Sequence, residues 1–289
     1  MAGGLKEVRE RIASVQNTMQ ITSAMKMVSA AKLRRAQDAI TRMRPYAEKL
    51  QGVLANVSAS LEASEGVYSV QRPVRKVLVV AVTSNRGLCG GFNNNILKAV
   101  KAFSVRHPEA QIEVLPLGKK AFDAYKRKDD ERAHGFDPDA WRVFDDLNFN
   151  RARTLADAIL HRFASEEVDR VVVLYNRFVN AAVQEVTVED FLPLLPVKGE
   201  GAGGDYLFEP SKEEIVERVV PNSLRVQFYK ALLDSHASEH GARMTAMHQA
   251  TDNASELIRE LKISYNKARQ TAITTEILEI VAGSEALDG

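Results

Sequence analysis

A sustained heptad pattern occupies the first 61 residues of this 289-residue chain. Stepping alternately three and four residues from Leu5 to Leu61 reaches seventeen positions, of which fourteen are apolar. A repeat of this kind is typical of a coiled-coil helix, because it keeps one apolar seam facing a partner helix. The helix would be about 85 Å long at about 1.5 Å per residue. The pattern therefore predicts a long helix that needs a second helix beside it.

Three consecutive positions of this seam are polar: Thr22, Lys26 and Ser29. A polar patch inside a seam either fixes the register of the two helices or marks the place where one helix turns to another partner. The one proline of the segment, Pro45, should bend the helix without ending it, since the heptads continue on both sides.

A second heptad pattern, from Met244 to Thr275, supplies a partner near the other end of the chain. The stretch Pro221-Asn222-Ser223 offers a helix start, with Asn222 or Ser223 as the N-cap. Residues 1–60 contain ten Lys or Arg and four Asp or Glu, a net charge of +6, whereas residues 205–289 contain nine and fourteen, a net charge of −5. We expect the basic helix to run antiparallel beside the acidic one.

Strand-like and helix-like segments alternate in the middle of the chain, as in VRKVLVVAVTS followed by NNNILKAVKAFSV. This alternation predicts an α/β domain, Rossmann-like, with a largely parallel sheet. The predicted organisation is a coiled-coil helix at 1–61, an α/β domain at 70–210 and a second coiled-coil helix at 222–285.

A glycine-rich motif, TSNRGLCGGFN from Thr83 to Asn93, follows the first strand, where an open α/β sheet usually binds ligands. It has neither a Gly-Lys-Ser/Thr ending nor the G-x-G-x-x-G spacing. One interpretation is a phosphate site in this turn. The pattern favours the other, in which Gly87, Gly90 and Gly91 make a tight turn and a close helix-to-sheet contact, and no cofactor is bound.

Other candidate chemistry is sparse. The single cysteine, Cys89, excludes a disulfide framework within the chain and a Cys-based zinc site, and we expect it to be a small buried residue. His236 and His240 share one helical face but have no evident third metal ligand, so we expect a solvated face. The basic first helix lacks interleaved aromatic residues, which argues against nucleic acid. No apolar run approaches the roughly 18 residues of a membrane span.

The end of the last helix, AITTEILEIVA from Ala272 to Ala282, is apolar around an arc of roughly 200°, about twice the stripe that one buried face needs. One partner helix cannot cover so wide an arc. This segment, the tip, therefore needs a sleeve of other protein or self-association.

Three blocks of sequence carry a resemblance to a known family. They are IASVQNTMQITSAMKMVSAAKLRRAQ, SNRGLCGGFN and ARMTAMHQATDNASELIRELKISYNKARQTAITTEILEIVAGSEAL, and in this order they resemble the gamma subunits of bacterial F-type ATP synthases. The resemblance implies a non-catalytic rotor shaft without a cofactor. Its coiled coil would stand inside a hexameric ring of alternating alpha and beta subunits, and its α/β domain would meet the epsilon subunit and the ring of c subunits.

The implied function is to couple proton-driven rotation of the c ring to conformational cycling of the catalytic beta subunits. The implied location is peripheral, on the cytoplasmic face of the bacterial inner membrane. Met25 and Lys26 would meet the lever region of a beta subunit. Polar contacts to the catch loops of the ring would come from Arg243, Arg269, Gln270, Thr274 and Glu276. The apolar bearing would consist of Ile273, Ile277 and Val281.

Two other classes of protein remain open at this point. A small α/β enzyme with an oligomerising coiled coil would use the turn from Gly87 to Gly91 as a phosphate site and would bind ATP as an isolated chain. A coiled-coil scaffold would form a stable homodimer. The shaft, in contrast, should be a poorly soluble monomer that dissolves with alpha and beta subunits.

Overall fold

The computed structural model describes residues 2–60, 67–126, 139–194 and 212–288. These residues form two units, one of residues 1–28 with 244–289 and one of residues 29–243. The elements, in chain order, are α1 (Ala2–Ser60), β1 (Lys76–Val82), α2 (Phe92–Arg106), β2 (Gln111–Leu117), α3 (Lys119–Tyr125), a 3-10 helix (Ala140–Asp145), α4 (Phe149–Ala164), β3 (Arg170–Phe178), β4 (Gln184–Leu192) and α5 (Lys212–Asp288).

The first unit is a pair of antiparallel helices. Hydrogen bonds between described side chains join them: Arg9 to Tyr265 at 2.9 Å, Thr22 to Thr251 at 2.8 Å and Lys26 to His248 at 3.5 Å. The residue number on α5 falls as that on α1 rises, which is the antiparallel direction. All seam positions predicted for this unit, on both helices, are buried or half-buried. The heptad prediction is confirmed here.

The heptad seam of α1 continues into the second unit, where Ser29, Leu33 and Ala36 are buried. The helix runs through Pro45 without a break, as predicted. The side chains of Ala47 and of residues 51–60, and the whole of Leu61, lie outside the described part of the chain.

The second unit contains a four-stranded sheet in the order β2-β1-β3-β4. Strand β1 is parallel to β2 and to β3, whereas the edge strand β4 is antiparallel to β3. The predicted fold class, an α/β domain with a largely parallel sheet and long terminal helices, is confirmed. Every residue from Val77 to Val82 is fully buried, because helices cover both faces of the sheet.

Each face of the sheet has its own apolar core. Helices α2 and α3 pack on the face that carries Val77 and Val79. Helix α4 and the first part of α5 pack on the opposite face, which carries Leu78 and Val80. Successive residues of a strand point to opposite faces, so one run of valines and leucines serves both cores.

The final helix begins earlier than predicted. It starts at Lys212, and Pro221 lies inside it, so the predicted N-cap at Asn222 or Ser223 is wrong. A proline inside a helix removes one backbone hydrogen bond and usually ends or bends the helix. Here Val220 and Leu224, on either side of it, are buried in the core against β1 and α4, and this packing holds the segment helical. The predicted end of the α/β domain at residue 210 falls outside the described residues.

Candidate functional site

The helix pair of the first unit carries apolar side chains on its outer faces as well as in its seam. On α1 these are Ile21, Met27 and Val28, which are 57 to 66% exposed. At about 100° per residue they lie on the side of the helix away from Thr22 and Lys26, which face α5. The heptad pattern does not indicate them, because it reports only the residues that face the partner helix. What marks them in the sequence is that they are apolar although they lie outside the seam.

The tip also exposes apolar side chains on its outer face, and more of them. Its large apolar residues are 49 to 72% exposed, namely Ile273, Ile277, Leu278, Ile280 and Val281. The positions of α5 that face α1, such as Ala268, Ala272 and Thr275, are half-buried on the other side of the helix. At about 100° per residue the centres of the two stripes are roughly 170° apart. The apolar face of the tip therefore points away from α1, and pairing with α1 cannot bury it.

The residues proposed for ring contacts lie at three places: one group on α5, one on α1, and Arg243 by itself. Arg269, Gln270, Thr274 and Glu276 are exposed on α5, where the Thr274 hydroxyl donates to the Gln270 carbonyl at 2.9 Å.

Met25 and Lys26 are half-buried on α1. Lys26 lies beside His248, which also approaches Asp252 at 3.3 Å. Since Arg269 lies 21 residues beyond His248 on the same helix, the two groups are about 30 Å apart along the helix pair. The structure does not bring them together.

Arg243 is placed differently from the other polar candidates. It is only 6% exposed and lies inside the second unit. Its Nε and NH2 groups donate to the carbonyl oxygens of Arg86 and Gly87 at 3.0 to 3.2 Å. Its NH1 group donates to Glu239 at 2.7 Å and lies 3.5 Å from His240 Nδ1. The guanidinium is thus engaged within the chain.

The glycine turn, residues 84–93, is stabilised by its own side chains. The Ser84 backbone N–H donates to Asn93 Oδ1 at 2.9 Å, and the Ser84 hydroxyl donates to the Arg86 carbonyl at 2.6 Å. Asn93 in turn donates to Cys89 Sγ at 3.1 Å. These bonds occupy the Ser84 N–H, the Ser84 hydroxyl and the Asn93 amide within the turn itself, so these groups do not point to a ligand.

The three predicted glycines differ in importance. Gly90 has φ +58°, which favours glycine, whereas a side chain at Gly87 or Gly91 would meet only side-chain atoms. The close backbone contacts lie at two glycines that the motif did not indicate. A Cβ at Gly118, where φ is +91°, would be 2.1 Å from the Thr83 carbonyl oxygen, and one at Gly241 would be 3.3 Å from Ala181.

The prediction that His236 and His240 form a solvated face is wrong. His240 is buried and His236 is half-buried, with their Nε2 atoms 3.2 Å apart. Burial, together with the positive charges of Lys32 and Arg243, lowers the pKa of His236 to about 4. Burial, the neighbouring His236 and the same two cations lower the pKa of His240 to about 3. Sequence periodicity could not show that the 3-10 helix packs Phe144 against His236.

Cys89 is buried, as predicted, and packs with Phe92 and Ala242. Burial raises the pKa of its thiol, although the hydrogen bond with Ser84 and the charge of Arg243 lower it. A thiol of raised pKa is a poor nucleophile. Within the described ranges, no three His, Cys, Asp or Glu side chains are grouped as a metal site would require.

The comparisons with known proteins are consistent along the whole chain. The ATP synthase family model matches residues 4–287. The ATP synthase gamma chain of Flavobacterium johnsoniae is 56% identical over 288 residues, covering 99% of both chains. Those of Christiangramia forsetii and Geobacter metallireducens are 52% and 44% identical, again over 99% of each chain. The chain belongs to the ATP synthase gamma chain family.

Solved structures agree with this membership. The central stalk and c-ring structure of Tetrahymena thermophila mitochondrial ATP synthase contains a chain that is 25% identical, with a TM-score of 0.59, covering 80% of this gamma chain and 99% of that one. A chain of the Euglena gracilis mitochondrial ATP synthase superposes with a TM-score of 0.68 at 22% identity, covering 99% and 95%. The second similarity shows that the fold is shared.

Family and fold together make this gamma chain the central-shaft subunit of ATP synthase. Its outer apolar faces lie on the helix pair, and its buried polar groups, apart from Thr22, lie in the second unit. Among the helices of the described residues, none combines the length and apolar character needed to cross a bilayer.

Proposed function

We propose that this gamma chain transmits rotation of a c-subunit ring to the beta subunits of a hexamer of alternating alpha and beta subunits, and that it performs no chemistry itself. The observation that carries the proposal is the apolar outer surface of the helix pair. A two-helix coiled coil in water exposes polar residues opposite its seam. This pair instead exposes Met27 and Val28 on α1 and Ile277 and Ile280 on α5.

The tip is proposed to turn inside an apolar sleeve formed by the alpha and beta subunits. Ile273, Ile277 and Val281 would form the bearing surface, joined by Leu278 and Ile280, which the structure exposes on the same side. Apolar contacts have no preferred direction, since the hydrophobic effect depends on buried area. A surface of this kind can bind its sleeve at every angle of rotation, whereas fixed ion pairs would hold it at one angle.

Direction-dependent contacts are proposed for the exposed polar residues. Arg269, Gln270, Thr274 and Glu276 would meet loops of the ring at particular angles. Met25 and Lys26 would meet a beta-subunit lever. Arg243 is not included in this surface, because the carbonyls of Arg86 and Gly87 already hold its guanidinium.

The α/β domain is proposed to contact the epsilon subunit and the c ring, and the assembled protein to lie on the cytoplasmic face of the bacterial inner membrane. What supports a non-catalytic role is the internal bonding of the glycine turn, where Ser84 and Asn93 bond to each other. The mechanism is mechanical bias: an asymmetric shaft stabilises a different conformation of each beta subunit as it turns.

The test uses the complex of this chain with its alpha and beta subunits. Deleting residues 273–289 should leave the rest of the chain folded and assembled but lower ATPase activity and torque. A matched variant, Glu279→Ser, alters an exposed residue on the polar side of the same segment and should retain both. Unchanged activity and torque after the deletion would refute the bearing role. Failure of the chain to copurify with alpha and beta subunits would refute the proposed function as a whole.

A further inference from the structure

One segment of α5 is polar and buried at the same time. Between residues 234 and 243 the buried side chains include those of Asp234, Ser235, Ser238, Glu239, His240 and Arg243. The hydroxyls of Ser235 and Ser238 have no hydrogen-bond partner among the described residues. Burying polar and charged groups lowers stability unless they are well paired, and apolar residues of similar size would often be more stable. The segment therefore has a composition that stability alone does not explain.

At the centre of the segment, several hydrogen bonds fix the orientation of the Arg243 guanidinium. A guanidinium has five N–H donors in a rigid plane. In Arg243 they point to the carbonyls of Arg86 and Gly87, to Glu239 and to His240 Nδ1. We call Glu239, Arg243 and these two carbonyls the guanidinium lock. A small rotation of α5 about its axis would move the planar group off the carbonyls and break these bonds together.

The other contacts of the same helical turn are close but non-directional. Gly241 lies against Ala181 in the turn between β3 and β4, and Ala242 packs on Cys89 and Phe92. Apolar contacts of this kind resist separation of the helix from the sheet domain. They resist rotation less, because burial depends on area rather than on direction. Hydrogen bonds depend steeply on angle and so resist rotation.

We propose that the guanidinium lock fixes the rotational position of α5 against the glycine turn, so that torque passes between the α/β domain and the helix without slippage. Glu239 and Arg243 are thus positioning residues. This inference rests on the proposed function, because only a rotating shaft carries torque. It also explains why an ion pair is buried here. Fixing the arrangement of two elements is the best-attested use of buried polar groups.

The test separates mechanical coupling from stability. In membrane vesicles with the whole ATP synthase, Glu239→Met with Arg243→Met removes both charges and leaves no unpaired ion. Its thermal unfolding midpoint should stay close to that of the wild type, because removing two buried charges offsets the loss of the bonds to the Arg86 and Gly87 carbonyls. Unloaded ATP hydrolysis should also be unchanged, but the number of protons pumped per ATP against a gradient should fall severalfold. The matched control, Arg170→Met with Asp190→Met, removes an ion pair between β3 and β4 and should leave that ratio unchanged.

A second variant keeps the test decisive if the double variant fails to assemble. Arg243→Lys keeps the charge beside Glu239 but cannot reach both carbonyls, and it should lower the pumping ratio in the same direction. A wild-type ratio in an assembled variant would overturn the lock. So would an equal loss of unloaded hydrolysis, because Arg243 would then act at the catalytic ring. If wild-type vesicles themselves showed no coupled pumping, the proposed function would fail instead.

Discussion

Thr22 of α1 and Thr251 of α5 face each other across the helix pair, with their hydroxyl oxygens 2.8 Å apart. Each hydroxyl also lies within hydrogen-bond distance of a carbonyl of its own helix, that of Met19 at 3.0 Å and that of Met247 at 2.8 Å. A hydroxyl has a single hydrogen to donate. One of the two threonines therefore donates across the seam. Such a polar pair fixes the register of the two helices.

Replacing one partner of this pair should destabilise the helix pair more than replacing both. Thr22→Val removes the bond across the seam and should cost about 1 kcal/mol, the net value of one hydrogen bond. Thr22→Val with Thr251→Val replaces both partners by apolar side chains of the same shape and should be nearly neutral. Urea unfolding followed by circular dichroism measures both variants. Equal or additive losses would contradict a direct interaction.

The buried histidines should make stability depend on pH. Their folded pKa values, about 4 for His236 and about 3 for His240, lie below the unfolded value. Groups of lowered pKa stabilise the fold above the unfolded value, about 6.5, and that stability is lost as the pH falls. Between about pH 6.5 and pH 5 each histidine should remove about 2 kcal/mol from the free energy of unfolding.

Denaturant titrations at the two pH values test this dependence. His236→Phe with His240→Leu should flatten it. The control is Ile96→Ala, a buried apolar residue on the opposite face of the sheet, which should lower stability equally at both pH values. An unchanged pH slope in the double variant would show that other groups cause the effect.

Alanine substitutions at three glycines should change stability by different amounts, in an order that the sequence motif does not indicate. Gly118→Ala should cost about 4 kcal/mol or more, because the new Cβ would overlap the Thr83 carbonyl and φ is +91°. Gly90→Ala meets no atom and should cost about 1 to 2 kcal/mol for its φ of +58°. Gly283→Ala lies in open helix and should be neutral or slightly stabilising. Thermal unfolding of the three variants checks this ranking, and a Gly90 cost above that of Gly118 would contradict it.

Polar substitutions in the tip should change solubility without changing stability. Ile277→Ser and Ile280→Ser remove exposed apolar surface, so the isolated chain should aggregate less while its unfolding free energy shifts by no more than about 0.5 kcal/mol. Ile258→Ser, the same change at a buried seam position, should cost about 2 kcal/mol or more. Light scattering and denaturant unfolding give the two readings. If both tip variants aggregated as much as the wild type, the tip would not be the cause of the poor solubility.

Much of the fold follows from patterns that are local in the chain. The three-four spacing identified the seam from Leu5 to Met43 and from Met244 to Thr275, and the structure buries or half-buries every one of these positions. The apolar run from Val77 to Val82 likewise indicated a strand covered on both faces. Periodicity succeeds in these segments because it reports which side of an element faces a partner, whatever the partner is.

Sequence by itself therefore determined the two helices, their pairing seam, the largely parallel sheet and the apolar tip. Only the tertiary structure decided which polar residues are buried and what they bind. Arg243 and Gly87 are 156 positions apart, and no spacing rule connects a guanidinium to a carbonyl at that distance. The same holds for His236 under Phe144, for Gly118 against Thr83 and for the helical turn at Pro221. In each case the stabilising partner comes from another element, so the outcome depends on packing that local sequence does not encode.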